Sequence, residues 1–258
     1  MIISVINQKG GVGKTTTTHA LGIGLKERGY KVLLIDLDPQ CSLSYTVGVT
    51  DTDSTVLQLF HQSANHKDTI HHAEQIDIIP ADRNLVNLDF VLTQTGKEFR
   101  IKEALKDIRT EYDFILIDTP PSLGIETINA LTASDQVLIP AKAEIYSLMG
   151  IGQLSETIDV CRAYTNPNLS ITGILLTQFN ERTNFGKDAM LMMQETADAL
   201  ETILFKTTIR QTVRVAESQA QQTDVMNFRS GKNIAAEDYN QFIDEFVSRV
   251  GTKPKAKS

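Results

Sequence analysis

Two patterns of apolar residues alternate along the chain. Short runs rich in aliphatic and β-branched residues, Ile2–Ile6, Lys31–Asp36, Gln75–Ile79, Tyr112–Asp118, Asp135–Ile139 and Ile171–Thr177, read as strands buried on both faces. Pro80 and Pro140 are expected to close two of them, and a shorter strand is expected around Leu204–Thr208. Between them, helical spacing predicts helices over Thr15–Arg28, Thr55–Gln62, Phe99–Ile108, Gly124–Thr132, Tyr146–Tyr164, Asn184–Glu201, Val213–Gln221 and Ala235–Val250, with a further helical stretch over Asn84–Leu92. Strand follows helix throughout, with no repeat and no linker rich in Gly, Ser or Pro. That order predicts an α/β fold: a single doubly wound, mostly parallel sheet flanked by helices. One domain is expected over residues 1–250, followed by a basic tail, 251–258, read as disordered.

Composition narrows the class. The chain has 258 residues, 41% of them apolar and 22% charged, the balance of a globular domain. No apolar run approaches the ~20 residues of a membrane span. The first strand begins at Ile2, which leaves no room ahead of it for a signal peptide, so a cytoplasmic location is expected. Cys41 and Cys161 are the only cysteines. Two exclude a disulfide scaffold, and each reads as a small buried hydrophobe. The net charge of −7 argues against nucleic acid by bulk charge alone, so any DNA affinity needs a local basic surface.

The candidate chemistry lies at the first strand–helix junction, Gln8-Lys9-Gly10-Gly11-Val12-Gly13-Lys14-Thr15-Thr16. A strand, a glycine-rich turn and a helix N-terminus are what a phosphate-binding loop needs. Glycines let the backbone curl its N–H groups onto a polyphosphate. Lys14 is placed for the β- and γ-phosphates, and the Thr15 hydroxyl for Mg²⁺. Lys9–Thr16 thus forms the cofactor-binding stretch. Two acidic strand ends, Asp36-Leu37-Asp38-Pro39-Gln40 and Asp118-Thr119-Pro120-Pro121-Ser122, fall on the ligand edge of such a sheet.

The extra lysine, Lys9, distinguishes this loop from the common G-x-x-x-x-G-K-[ST] pattern and resembles the deviant Walker A motif. With the two acidic motifs in order, nearly the whole chain is similar to the ParA/Soj-type partition ATPases of the ParA/MinD superfamily. The resemblance implies ATP and Mg²⁺ as cofactors; no Asn-Lys-x-Asp stretch for guanine is present. It implies a homodimer closed by ATP, with Lys9 of each subunit on its partner's nucleotide. Lys9, Lys14 and Asp38 are the implied catalytic residues, Asp38 acting on the attacking water. Thr15 would ligate the metal and Asp118 would hold it through a water. Asp36 either joins Asp118 in that task or fixes the switch loop. Arg182 and Arg214 match family positions that contact nonspecific DNA, with Lys206, Arg210, Arg229 and Lys232 nearby as a local basic face. The implied function is segregation of plasmid or chromosomal DNA on the nucleoid with a ParB-like centromere-binding partner. A MinD-type membrane-positioning ATPase and a ParA-like ATPase for non-DNA cargo are the alternatives. An iron–sulfur reductase and a carboxylate ligase share the fold, but the two cysteines do not supply cluster ligands. The chain departs from the family at Arg210, where many relatives carry a proline near the adenine, and at Cys41, where many carry glycine.

Other signals carry less. His71-His72 lacks further ligands at metal spacing and reads as a polar loop. Met190, Met192 and Met193 read as core or interface filler. The apolar stripe Phe242, Ile243, Phe246 and Val247 is flanked by acids rather than lysines, so packing onto the sheet is expected, with no membrane partner.

Overall fold

In a computed structural model the described residues are 1–61, 66–180, 184–228 and 231–251; for residues 145, 146 and 184–187 the description covers the backbone. Residues 252–258 of the expected tail, Arg182 and Arg229 lie outside them. Strands β1 (Ile2–Val5), β2 (Val32–Asp36), β4 (Asp77–Ile79), β5 (Phe114–Asp118), β6 (Gln136–Ala141) and β7 (Ser170–Leu176) run parallel. Strand β3 (His71–His72) adds an antiparallel edge, giving the order β3-β4-β2-β5-β1-β6-β7.

Successive side chains of a strand face opposite sides, and the core divides accordingly. Ile3, Val5, Leu34, Phe114 and Leu116 face helices α1 (Lys14–Glu27), α2 (Ser42–Val47) and α10 (Ile234–Val250). Ile2, Leu33, Ile35, Ile115 and Ile117 face α3 (Leu57–His61), α4 (Leu88–Val91), α5 (Arg100–Ala104) and α6 (Ile125–Ala133). Val137, Ile139 and Ile174 pack with α7 (Ile145–Tyr164) and α8 (Asn184–Ala199). The stripe Phe242, Ile243 and Phe246 of α10 is fully buried, with Phe242 against Phe205 at 5.0 Å and Phe246 against Phe114 at 6.2 Å between centroids. No helix among the described residues is long and apolar enough to cross a membrane.

Several elements differ from the sequence reading, each for a local reason. The expected strand at Leu204–Thr208 reduces to single bridges, Leu204 with Ile174 and Arg210 with Phe179. The Glu245 carboxylate takes the N–H groups of Lys206 (2.8 Å) and Thr207 (3.0 Å), donors that a ladder would need. Pro140 lies inside β6 rather than closing it. Its missing donor costs nothing, because β1 stops pairing with β6 at Leu138. The His71-His72 pair is a strand edge, not a loop: it pairs with Ile78 and Asp77, and His71 Nε2 lies 2.8 Å from the Ser54 carbonyl oxygen. The Asn84–Leu92 stretch begins as a 3₁₀ turn, Arg83–Asn87, capped by the Asp82 carboxylate on Asn84 N–H at 2.8 Å. Helix α2 has no counterpart in the sequence reading.

Gly173 in β7 illustrates how tightly this core closes. A Cβ there would lie 2.5 Å from the Phe205 ring, which is itself held edge-on by Phe242. Gly173→Ala is expected to destabilise the fold by roughly 1–3 kcal/mol. Urea denaturation checks this through a lower midpoint at unchanged slope.

Candidate nucleotide-binding site

Strands β1 and β5 are neighbours, with Val5 in register with Asp118. The helices that follow them leave on opposite faces, α1 on one and α6 on the other. Such a switch point opens a crevice at the carboxyl edge of the sheet. A cavity of about 760 Å³ occupies it. Gly10, Gly11, Gly13, Lys14, Thr15 and Thr16 form one wall, and Asp38 and Pro121 another. Helix α9 (Arg214–Ala220) contributes a third.

The loop has the shape that its sequence suggests. Gly11 and Gly13 adopt left-handed φ values of 68° and 85°. A Cβ at Gly10 or Gly11 would meet nothing of the protein, so the bare backbone there leaves room for a ligand. The loop carbonyls are held from behind: Thr177 Oγ1 donates to Val12 O (2.7 Å) and Gln178 Nε2 to Gly11 O (2.9 Å). In a trans peptide the following N–H points away from the partner that holds the carbonyl. Val12 itself is fully buried and contributes only backbone. Gln178 and Thr177 were not found from sequence, since neither carries a motif of its own.

Lys14 is buried, and among the described residues its ammonium donates to the Lys9 carbonyl at 3.4 Å. Burial lowers its pKa, against the pull of Asp118 and Asp38. A desolvated cation facing an open crevice fits an anion. Thr15 Oγ1 donates to Asp118 Oδ2 at 2.6 Å, so the hydroxyl and carboxylate assigned to Mg²⁺ already stand together. Burial, then the neighbouring Asp36, pushes Asp118 up to about 8. A divalent cation would offset that repulsion, and one or two carboxylates plus phosphates are the usual donors of Mg²⁺.

Asp36 has a different task. Its Oδ2 accepts from Ser44 N–H (2.9 Å) and Ser44 Oγ (2.7 Å), and its Oδ1 from Asp38 N–H (3.0 Å). These bonds hold the carboxylate against the segment that follows β2. They tie the end of β2 to the first turn of α2, and Ser44 in turn receives Ala81 N–H at 2.9 Å. Asp38 is left lining the cavity, with Oδ1 accepting from Gln40 N–H at 2.9 Å. Cys41 begins α2 at φ 55°, which explains why glycine suits this position. Burial, then Asp36, pushes its thiol up to about 11, so it is no nucleophile here.

Lys9 pairs with Glu144 of its own chain, on the surface beside the loop. Sequence reasoning missed Glu144, which lies 135 positions away. Arg214, at the start of α9, donates to Glu217 Oε2 at 2.7 Å. Arg210, expected on a basic face, is instead bound to Asp238 at 2.6 Å and Glu237 at 3.5 Å, so its charge is neutralised.

Comparison with known proteins decides the family. A family model described as an AAA domain matches residues 1–171. The sporulation initiation inhibitor protein Soj of Bacillus subtilis is 40% identical over 222 residues, 84% of this chain and 87% of that protein. The chromosome partitioning protein ParA of Caulobacter vibrioides is 34% identical over 255 residues, 96% of this chain and 94% of that one. The chain belongs to the ParA/Soj family of ATPases. The crystal structure of cobyrinic acid a,c-diamide synthase from Mycobacterium smegmatis, with bound ADP and magnesium, shares the fold. It has a TM-score of 0.81 and 30% identity, and the match covers 100% of this chain and 99% of that one. The substrate is ATP and the metal is Mg²⁺, in keeping with the ADP or ATP analogue and magnesium bound in that synthase. When bound, the ion neutralises charge on the phosphates; Thr15 and Asp118 are the residues that fit it.

Proposed function

We propose that this ParA/Soj ATPase partitions DNA through a nucleotide-gated dimer. ATP closes two copies face to face, and Lys9 of each contacts the nucleotide of the other. Asp38 orients the attacking water, so hydrolysis removes part of the attraction that holds the pair. The closed dimer binds DNA without base specificity through Arg214 and Arg182, on the nucleoid, and a ParB-like partner stimulates release. The partition roles of the ParA relatives support this reading.

One observation carries the link between nucleotide and DNA. Arg214 opens the same short helix, α9, that lines the nucleotide cavity with Val215, Gln219 and Ala220. Gln219 Nε2 also donates to Thr16 Oγ1 of the phosphate loop at 3.1 Å. A helix bonded to the loop at one end and carrying an arginine at the other can report nucleotide state to a surface. Gly231 lies against Arg214, a Cβ there being 3.6 Å from Nη2, which brings Lys232 into the same region. Positioning of a different cargo would use the same dimer without this surface. A membrane-positioning role loses its element, because the apolar stripe of α10 is buried.

The test is retention on nonspecific duplex DNA at low salt, with and without ATP and Mg²⁺. The parent chain is expected to bind only with ATP. Arg214→Glu is expected to weaken that binding by about tenfold or more, equally on all sequences. Equal retention with ADP, or an unaffected Arg214→Glu chain, would remove DNA from the account.

A further inference from the structure

Among the described residues of the cavity wall, Arg83 is the one charged side chain that neither the sequence motifs nor the loop geometry uses. It follows β4 at the carboxyl edge, on the first residue of the 3₁₀ turn Arg83–Asn87. Its side chain lines the same cavity as Gly10, Lys14 and Thr15. It is exposed, and among the described residues no carboxylate pairs with it. The adjacent acid is committed elsewhere: Asp82 accepts from Asn84 N–H at 2.8 Å and from Thr55 Oγ1 at 3.2 Å. Arg83 is close enough to Cys41 for its charge to act on that thiol.

The sheet order fixes the side from which this cation enters. Strands run β4-β2-β5-β1, so Arg83 comes from three strands away from the phosphate loop, a span of roughly 14 Å. The loop amides and Lys14 hold the phosphates at β1. Between them and Arg83 stand the ends of β2 and β5, with Asp38 and Pro121 on the cavity wall. The opposite wall, with Gln178 and Val215, lies toward β7 and α9. If Asp38 orients the water that attacks the last phosphate, as proposed above, that phosphate lies on the side of the cavity that Asp38 shares with Arg83.

We propose that Arg83 is a γ-phosphate sensor: its guanidinium contacts the terminal phosphate of ATP within the same subunit and does not reach ADP. An arginine is suited to this because its planar fork matches phosphate oxygens and it stays charged at any working pH. Its exposure lets it swing in without first giving up a buried partner. The residue thus separates ATP from ADP before any second subunit is involved, and the contact is independent of the dimer.

The experiment is calorimetric binding of a non-hydrolysable ATP analogue and of ADP, each with Mg²⁺, to the full-length chain and to Arg83→Ala and Arg83→Lys. Arg83→Ala is expected to weaken the analogue by about tenfold or more, with ADP affinity within about twofold of the parent. Arg83→Lys, which keeps the charge but not the fork, is expected to fall between. Thermal melts of the three chains establish that each is folded, and the exposed position makes equal melting the expected result. Loss of analogue and ADP affinity in equal proportion, or loss of neither, would overturn the assignment.

Discussion

Lys14→Ala is expected to bind ATP at least about a hundredfold more weakly than the parent, measured by calorimetry with Mg²⁺. The size follows from the surroundings of the ammonium. It is buried in the loop, where the carboxylates of Asp118 and Asp38 act on it. Without it a polyphosphate would enter a crevice containing two carboxylates and no loop cation. Removing one partner from a desolvated charge pair costs about 3–5 kcal/mol, much more than losing an exposed one. The same variant is expected to melt no lower than the parent when nucleotide is absent. Burial lowers the pKa of Lys14, so holding it charged there is a cost that only the ligand offsets. A large fall in melting temperature together with retained ATP binding would make Lys14 a structural residue and not a phosphate ligand.

Much of this site is legible in the sequence because each part is local. The phosphate loop is one contiguous stretch whose glycines, lysine and threonine each answer a single requirement. The acidic motifs end strands that their own apolar runs reveal. The wholly buried strands β1, β2 and β5 are also where hydrophobic pattern is strongest, and β2 and β5 place Asp36 and Asp118 directly. What escaped depends on contacts distant in sequence. Helix α2 is held less by its own pattern than by Ser44 bonding to Asp36, eight positions back. The expected strand near Leu204 yields to Glu245, about 40 positions later, which captures its amides. Arg210 looked like part of a basic face until the fold brought Asp238 onto it. Arg83 carries no motif at all, and only the sheet order β4-β2-β5-β1 brings it to the nucleotide. Local chemistry survives in sequence; pairing across the sheet edge does not.

Lys9 supplies the second large effect. Its side chain is 27% exposed and pairs with that of Glu144, which is 46% exposed. An ion pair this open is worth about 0–1 kcal/mol. Lys9 can therefore leave Glu144 at little cost when a better anion arrives. In the dimer proposed above that anion is the partner's nucleotide, and a charge buried against phosphate is held far more strongly than one in water. Lys9→Ala is accordingly expected to melt like the parent and to bind ATP with affinity within a few-fold of it, but to fail in assembly.

Light scattering on the eluting protein, with ATP and Mg²⁺, tests this most directly. Asp38→Ala provides the background, since on the role proposed for Asp38 it is expected to keep ATP intact during the run. Asp38→Ala alone is expected to elute with the mass of a dimer, and the Lys9→Ala, Asp38→Ala chain with the mass of a monomer at the same concentration. A dimer of equal strength in the double variant would contradict the account at its centre.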